Sequence, residues 1–218
     1  SGSISATVGF AENTGLILGL QYQESNVFGT GNSINIGVNR SDFQEALNFS
    51  FFDPYYTVDG VSRGYSFFFR KSDFGNFNIA SFSTDSYGVS MTFGYPISEI
   101  SRIGFSLGYE HTNIKEGIIP AREISEFVDK EGNEFDLLSV TGTYSMSALN
   151  RGLLPTAGRS QSLSFEMTVP GSELEFYRIN YSGQIFFPLW GPFVLRLRTD
   201  LGYGDAYGGT DTFPFYKH

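Results

Sequence analysis

Cysteine is absent from the chain, which excludes a disulfide scaffold and thiolate metal ligation. That absence is compatible with an oxidising compartment without demonstrating one. Histidine occurs only at His111 and His218, too few for a histidine-rich metal site. No apolar run approaches the roughly 18 residues that a membrane helix requires, so helical spanning is excluded. Charge is sparse, at 17% of residues against the usual quarter or so. It is also unbalanced, with 14 lysines and arginines facing 23 acidic residues for a net charge of −9. The basic residues are scattered and form no stripe of the kind that phosphate backbones need, which argues against a nucleic-acid partner. Ser1 does not open a basic and apolar leader, so the sequence reads as a mature chain or a fragment of a longer one.

Catalytic patterns are equally scarce. No GxSxG elbow precedes a helix. The run GYGDAYGG at 202–209 has GxGxxxG spacing rather than GxGxxG and leads into a loop, so it does not indicate dinucleotide binding. His111 with Ser106 is the one pairing at a strand rim, but the two fall on opposite registers of the strand. No catalytic residue, metal or cofactor is expected, and the chain is not read as an enzyme.

What the chain has in plenty is phenylalanine (23), tyrosine (13) and glycine (26), set in strict alternation. Alternation puts every second side chain on one face of a strand. At the start, Ile4, Ala6, Val8 and Phe10 alternate with Ser3, Ser5, Thr7 and Gly9. Later, Tyr87, Val89, Met91, Phe93 and Tyr95 alternate with Gly88, Ser90, Thr92 and Gly94. The pattern predicts about eleven strands of about ten residues or more. They lie near 3–12, 15–26, 32–41, 43–53, 61–73, 85–96, 101–114, 135–149, 159–170, 175–188 and 192–205. Without helical crossovers, neighbours should pair antiparallel as a meander.

The connections come in two sizes. FGTG, VDG, PISEIS, LPTAG and PLWGP are tight turns on one side, while GNFNIASFST and EGIIPAREISEFVDKEGN lie on the other. Within the latter, Pro120 is placed to open a short helix whose Ile124, Phe127 and Val128 share a face; an irregular loop fits equally.

The polar face decides between a soluble and a membrane barrel. One face is aromatic and aliphatic throughout. The other carries serine, threonine, asparagine and glycine with the charges Arg102, Glu110, Glu166, Arg178, Arg196, Arg198 and Asp200. An apolar exterior around a polar lumen is the pattern of an antiparallel transmembrane β-barrel, in which those charges are expected to pair across a wet interior. Rings expected at strand ends on the apolar face are Phe49, Phe51, Tyr87, Tyr95, Tyr109, Tyr177, Phe187 and Tyr203, and Tyr55 and Tyr56 occupy a turn. An apolar body with a polar tip suits tyrosine to the headgroup level, so these are read as membrane-interface residues. Arg63 shares the lipid-facing register with Val61 and Tyr65 and is expected to snorkel to the interface.

Several stretches, in order along the chain, resemble the barrel of the Omp85 superfamily of outer-membrane assembly insertases. They are NVFGTG (26–31), DPYYTVDGVS (53–62), SYGVSMTFGYPI (86–97), LNRGLLPTAG (149–158), VPGSELEFYR (169–178), LGYGDAYGG (201–209) and PFY (214–216). The family's barrel has about sixteen strands, an even number. The resemblance therefore implies that residues 1–218 cover its first eleven or so, ending in the sixth extracellular loop without that loop's Val-Arg-Gly-Phe motif, the last strand or the preceding POTRA repeats. It also implies an outer-membrane location and a role in folding client barrel proteins without ATP. The expected partners are outer-membrane lipid and lipopolysaccharide, unfolded client outer-membrane proteins and accessory lipoproteins. The site it implies is the first strand, Ser3, Ile4, Ser5, Ala6, Thr7, Val8, Gly9 and Phe10, whose edge would pair with an incoming strand. Gly2 and Gly9 are expected to weaken its pairing. A passive porin is the competing reading and a purely structural or adhesive barrel a third; mixed lumenal charge disfavours a selective pore.

Overall fold

The computed structural model of the chain describes residues 2–11, 15–73, 82–117, 122–210 and 214. Pro120, His218, Phe215, Tyr216 and most of GNFNIASFST lie outside the described residues. The strands are β1 (Gly2–Ala11), β2 (Gly15–Glu24), β3 (Ser33–Arg40), β4 (Gln44–Asp53), β5 (Ser62–Ser72), β6 (Phe82–Pro96), β7 (Ser101–Glu116), β8 (Glu134–Leu149), β9 (Gly158–Thr168), β10 (Phe176–Pro188) and β11 (Val194–Ala206). One helix, α1 (Arg122–Glu131), lies between β7 and β8. The strands form a single 11-stranded sheet in sequence order, each antiparallel to the next. The all-β meander expected from alternation is the observed fold. Among the described residues β1 pairs only with β2 and β11 only with β10, so the sheet is open.

Register converts the alternation of each strand into two continuous surfaces. On one side Tyr65, Met91, Leu107, Val140, Met167 and Tyr177 stand in a row across β5 to β10. On the other, Ser66, Ser90, Gly108, Ser139 and Thr168 make the parallel row. We call the first surface outward and the second inward. The inward hydroxyls bond across strands, Ser66 to Ser90 at 2.7 Å and Thr92 to Ser106 at 2.8 Å. Such cross-strand pairs satisfy polar groups without bulk. Where an inward aromatic does occur, glycine makes room for it. A Cβ on Gly88 would stand 2.6 Å from both the Phe68 ring and the Tyr109 carbonyl.

The turns after β2, β4, β6, β8 and β10 all fall at one end of the sheet, which we call the tight-turn end; the opposite end carries the connection with α1 but also, against expectation, a three-residue turn at 41–43 between β3 and β4, closed by Ser41 and Gln44. In the turn after β2, Asn26 accepts the Gly31 N–H at 2.7 Å, and Val27 N–H reaches the Asn32 carbonyl at 2.9 Å. In the turn after β4, Gly60 takes φ +86° and its N–H closes on the Thr57 carbonyl at 3.1 Å. Asn150 closes the turn after β8, its side-chain oxygen accepting the N–H groups of Thr156 and Ala157 at 3.0 and 3.1 Å.

The opposite end corrects the expectation of a polar inner face throughout. There Ile114, Phe135, Leu137 and Phe176, all inward by register, bury together with Leu174 and with Phe127 of α1, and Phe82 and Val128 pack against them. Ile124, Phe127 and Val128 do share one face of α1, and its exposed side carries the Arg122–Glu126 pair at 2.6 Å. A short amphipathic helix is stable only where its apolar stripe is buried. The inward face is accordingly apolar where α1 covers it and polar where it does not. Phe135 is fully buried, so Phe135→Ala is expected to cost about 3–5 kcal/mol of stability, read as a lower urea midpoint with the strand content of the rest retained.

Beyond the same end, Glu175 ties two segments together. Its carboxylate accepts the Gly171 N–H at 2.7 Å and the Gly209 N–H at 2.8 Å. These two bonds, Gly171's the stronger influence, hold the carboxyl below the ordinary glutamate range. A depressed acid stabilises the folded state above its unfolded pKa, and the contribution disappears as pH falls through the depressed value. Hydrogen exchange at Gly171 and Gly209, corrected for intrinsic rate, should therefore stay slow at neutral pH and accelerate only in acid below the ordinary glutamate range. Glu175→Gln should accelerate it at neutral pH.

Candidate functional site at the first-strand edge

β1 presents one paired and one unpaired edge. Its pairing with β2 is continuous from Gly2 opposite Glu24 to Ala11 opposite Gly15. Gly2 and Gly9 therefore do not interrupt that ladder. Ser3, Ser5, Thr7 and Gly9 point inward, and Ile4, Ala6, Val8 and Phe10 outward. Ile4, Val8 and Phe10 are 73%, 74% and 80% exposed, because no strand flanks them on the far side. A free strand edge offers N–H and C=O groups to any extended chain, largely irrespective of that chain's sequence.

Four of the seven inward charges form local ion pairs. Arg178 meets Glu166 across β10 and β9 at 2.6 Å, and Arg198 meets Asp200 two residues along β11 at 2.7 Å. Arg196 donates to the Gln184 side chain at 3.1 Å, and Glu110 accepts the Thr112 hydroxyl at 3.1 Å. Arg102, Arg196 and Arg198 line an open recess of about 700 Å³ on the inward wall near the tight turns, among Ser145, Ser162 and Ser182. Pairing runs along the wall because adjacent strands stand close enough for side chains to meet. Ser106 bonds Thr92 on the inward face while His111 bonds Asp136 on the outward face, so the two are separated by the sheet.

The outward aromatics are distributed as follows. Phe49 stands between Ile36 and Phe67, and Phe51 stacks on Tyr65 with centroids 6.3 Å apart. Tyr95 faces Ile103, Phe187 faces Leu195, and the Tyr177 and Tyr203 rings lie 6.1 Å apart. Tyr55 and Tyr56 lie in the turn between β4 and β5. Phe49 lies in the middle of β4, and Tyr87 and Tyr109 are not at strand ends either, because β6 begins at Phe82 and β7 runs to Glu116. The outward face nevertheless changes character there. Tyr109 and His111 both bond Asp136, at 2.7 and 2.8 Å, with Tyr87 stacked on His111. Beyond them come Asp85 paired with Lys115 at 2.5 Å and Asn113 bonded to Glu134 at 2.7 Å. The strands thus run past the apolar band, and their outward face becomes polar.

Alternation alone did not reveal the partners of Arg63. Asp53 lies opposite it in the β4–β5 register, with charges 3.6 Å apart. Tyr56 covers the guanidinium at 3.9 Å and Tyr65 lies at 5.4 Å. An Asp ten residues before an Arg across a tight turn was the available signal. The cluster neutralises a cation on the outward register where the apolar band ends.

An antiparallel meander with a continuous apolar outward surface, a hydroxyl-lined inward surface and turns of two sizes is the wall of a transmembrane β-barrel. Residues 26–218 match the Omp85 superfamily domain, and the chain belongs to that superfamily. It is 29% identical, over its whole length, to 29% of the outer membrane protein assembly factor BamA of Neisseria meningitidis serogroup B. It is 24% identical, over 65% of its length, to 25% of the BamA of Buchnera aphidicola. Among solved structures, BamA from Haemophilus ducreyi lacking POTRA domains 1–3 matches 99% of the chain with a TM-score of 0.83 and 26% identity, over 43% of that structure. The chain spans less than a third of the length of these curated relatives. Its sheet is of the bacterial outer-membrane β-barrel type. β1 and β2 both precede the segment that matches the family domain, but both fall within the full-length match to the Neisseria protein.

With no native cysteine in this segment, spin labels on single introduced cysteines can read depth. Labels at Phe67 and Leu107 should be relaxed mainly by oxygen. Labels at Tyr56 and Phe187 should be relaxed mainly by a nickel chelate carried on lipid headgroups. Equal responses at all four positions would contradict a membrane band bounded by these aromatics.

Proposed function

We propose that this chain is the leading part of the barrel of an outer-membrane protein insertase, in which the free edge of β1 templates incoming strands of client barrels. The observation that carries the reading is the free edge of β1, which with the far edge of β11 is one of the two unpaired edges of the sheet among the described residues. In hydrocarbon each unsatisfied backbone group costs several kcal/mol. An edge in the wall of a membrane barrel must therefore be met by another strand, either the barrel's own last strand or a client's. In this reading residues 1–218 belong to a barrel of about sixteen strands, and further strands of the same protein continue from β11 to close it. Seam opening would exchange one set of main-chain bonds for another, so the step needs no nucleotide.

The partners in this reading are unfolded client outer-membrane proteins at β1, outer-membrane lipid and lipopolysaccharide against the outward face, and accessory lipoproteins contacting mainly parts of the protein outside residues 1–218. The similarity to assembly factors named BamA supports an insertase over a passive porin. The pairing of the inward charges also leaves no large surplus of one sign to select ions. No side chain is assigned a covalent role; the chemistry is strand addition.

Cysteine in place of Ser5 or Thr7 in the complete protein should crosslink to the terminal strand of a stalled client. The absence of any adduct while assembly proceeds at the normal rate would sink the proposal.

A further inference from the structure

One outward cation differs from Arg63 in having no counter-ion of its own. Arg159 is the second residue of β9, at the tight-turn end, where register places it opposite Ala148 and Ile185. It shares the outward face with Leu163 and Phe165. It is exposed and makes no ion pair or hydrogen bond among the described residues. A guanidinium stays charged at any accessible pH, so at the boundary of a lipid band it needs an anion from outside the sheet.

Next to it the apolar band is interrupted. Gly183 faces outward in β10 between Gln161 and Thr199, two polar residues within an otherwise apolar band. The Tyr181 ring folds over the glycine, so that a Cβ there would stand 2.7 Å from the Tyr181 hydroxyl. Together with Arg159 these residues line an outward groove of about 310 Å³.

Three successive outward rows cross this region. The first is Arg159–Ile185–Leu197, the second Gln161–Gly183–Thr199 and the third Leu163–Tyr181–Leu201. Each row lies about 6.6 Å further along the strands, moving away from the tight turns into the band. The first row holds a cation beside two aliphatic groups, the second holds neutral hydrogen-bonding groups with the Tyr181 hydroxyl leaning over Gly183, and the third is otherwise apolar. A glycerophospholipid has the complementary order of phosphate, ester oxygens and acyl chains.

We propose that this groove is a binding site for a glycerophospholipid of the leaflet nearest the tight turns. Arg159 pairs with the phosphodiester. The Gln161 amide and the Thr199 and Tyr181 hydroxyls donate to the glycerol ester oxygens, and the acyl chains lie over Leu163 and Leu201. The missing side chain at Gly183 lets the Tyr181 ring lie back over the strand and brings its hydroxyl into the middle row, where the glycerol portion would lie. The site is independent of the β1 edge and does not require an insertase role.

The test uses the full-length protein in detergent, with dioleoyl phosphatidylglycerol titrated in and bound lipid counted by native mass spectrometry. Arg159→Gln should weaken retention about fivefold, the factor one basic residue contributes near an anionic surface. Gly183→Val, which keeps the cation but displaces the Tyr181 ring and its hydroxyl from the middle row, should weaken it as well. Arg151→Gln, a cation in the neighbouring turn, should leave it unchanged. Heat-modifiable migration on gels confirms that each variant is folded; if Gly183→Val is not, Arg159→Gln and Arg151→Gln decide between them. Unchanged retention in Arg159→Gln overturns the site. Equal losses in Arg151→Gln and Arg159→Gln overturn it in favour of diffuse rim charge, and displacement of the lipid by equimolar inorganic phosphate overturns it in favour of a general anion site.

Discussion

The obligation to pair every backbone N–H and C=O inside hydrocarbon governs this chain. A sheet can meet it only by laddering each strand to its neighbours, and the order β1 to β11 does so with the shortest connections available. Every other feature is arranged around that ladder. Side chains are left free to specialise by face, since pairing is accomplished by the main chain. The same obligation gives the outer edges of β1 and β11 their importance, because they are the places where this segment leaves it unmet.

Given the ladder, the two faces follow different rules. Outward residues are large and apolar within a band and become polar where β6 to β8 run past it, as the Asp85–Lys115 and His111–Asp136 pairs show. Inward residues are small hydroxyls and glycines in the middle and bulky apolar groups under α1. Cations on the outward register receive individual treatment. Arg63 is held by Asp53 and two tyrosine rings, whereas Arg159 has no such partner and stands beside a groove.

Much of this was legible in the chain because the period of a strand is two and the faces differ so strongly in chemistry. Tyr87 to Tyr95 and Ile103 to Tyr109 declare both the strand and the side that meets lipid. Turn residues such as Asp59-Gly60 mark the tight-turn end just as directly. The faces on which Ser106 and His111 lie were also readable from parity alone. What parity cannot supply is register between strands, and with it the partners of a side chain. Asp53 and Arg63, or Glu166 and Arg178, become neighbours only once the turns have set which rungs align. The apolar inward cluster was hidden for a related reason. Ile114, Phe135, Leu137 and Phe176 come from three strands, and the covering residue Phe127 comes from a helix that periodicity left equal to an irregular loop.

By itself, the sequence determined the class of structure, the number of strands and which face meets lipid. Each of these depends only on local alternation and turn chemistry, read within about ten residues at a time. Tertiary structure decided the rest: the continuous ladder at β1 despite its glycines, the local pairing of the lumenal charges, the apolar seat of α1 and the three-row gradient beside Arg159. These depend on side chains far apart in the chain meeting across rungs, and hydrogen bonding between strands, rather than anything within a strand, fixes which rungs meet.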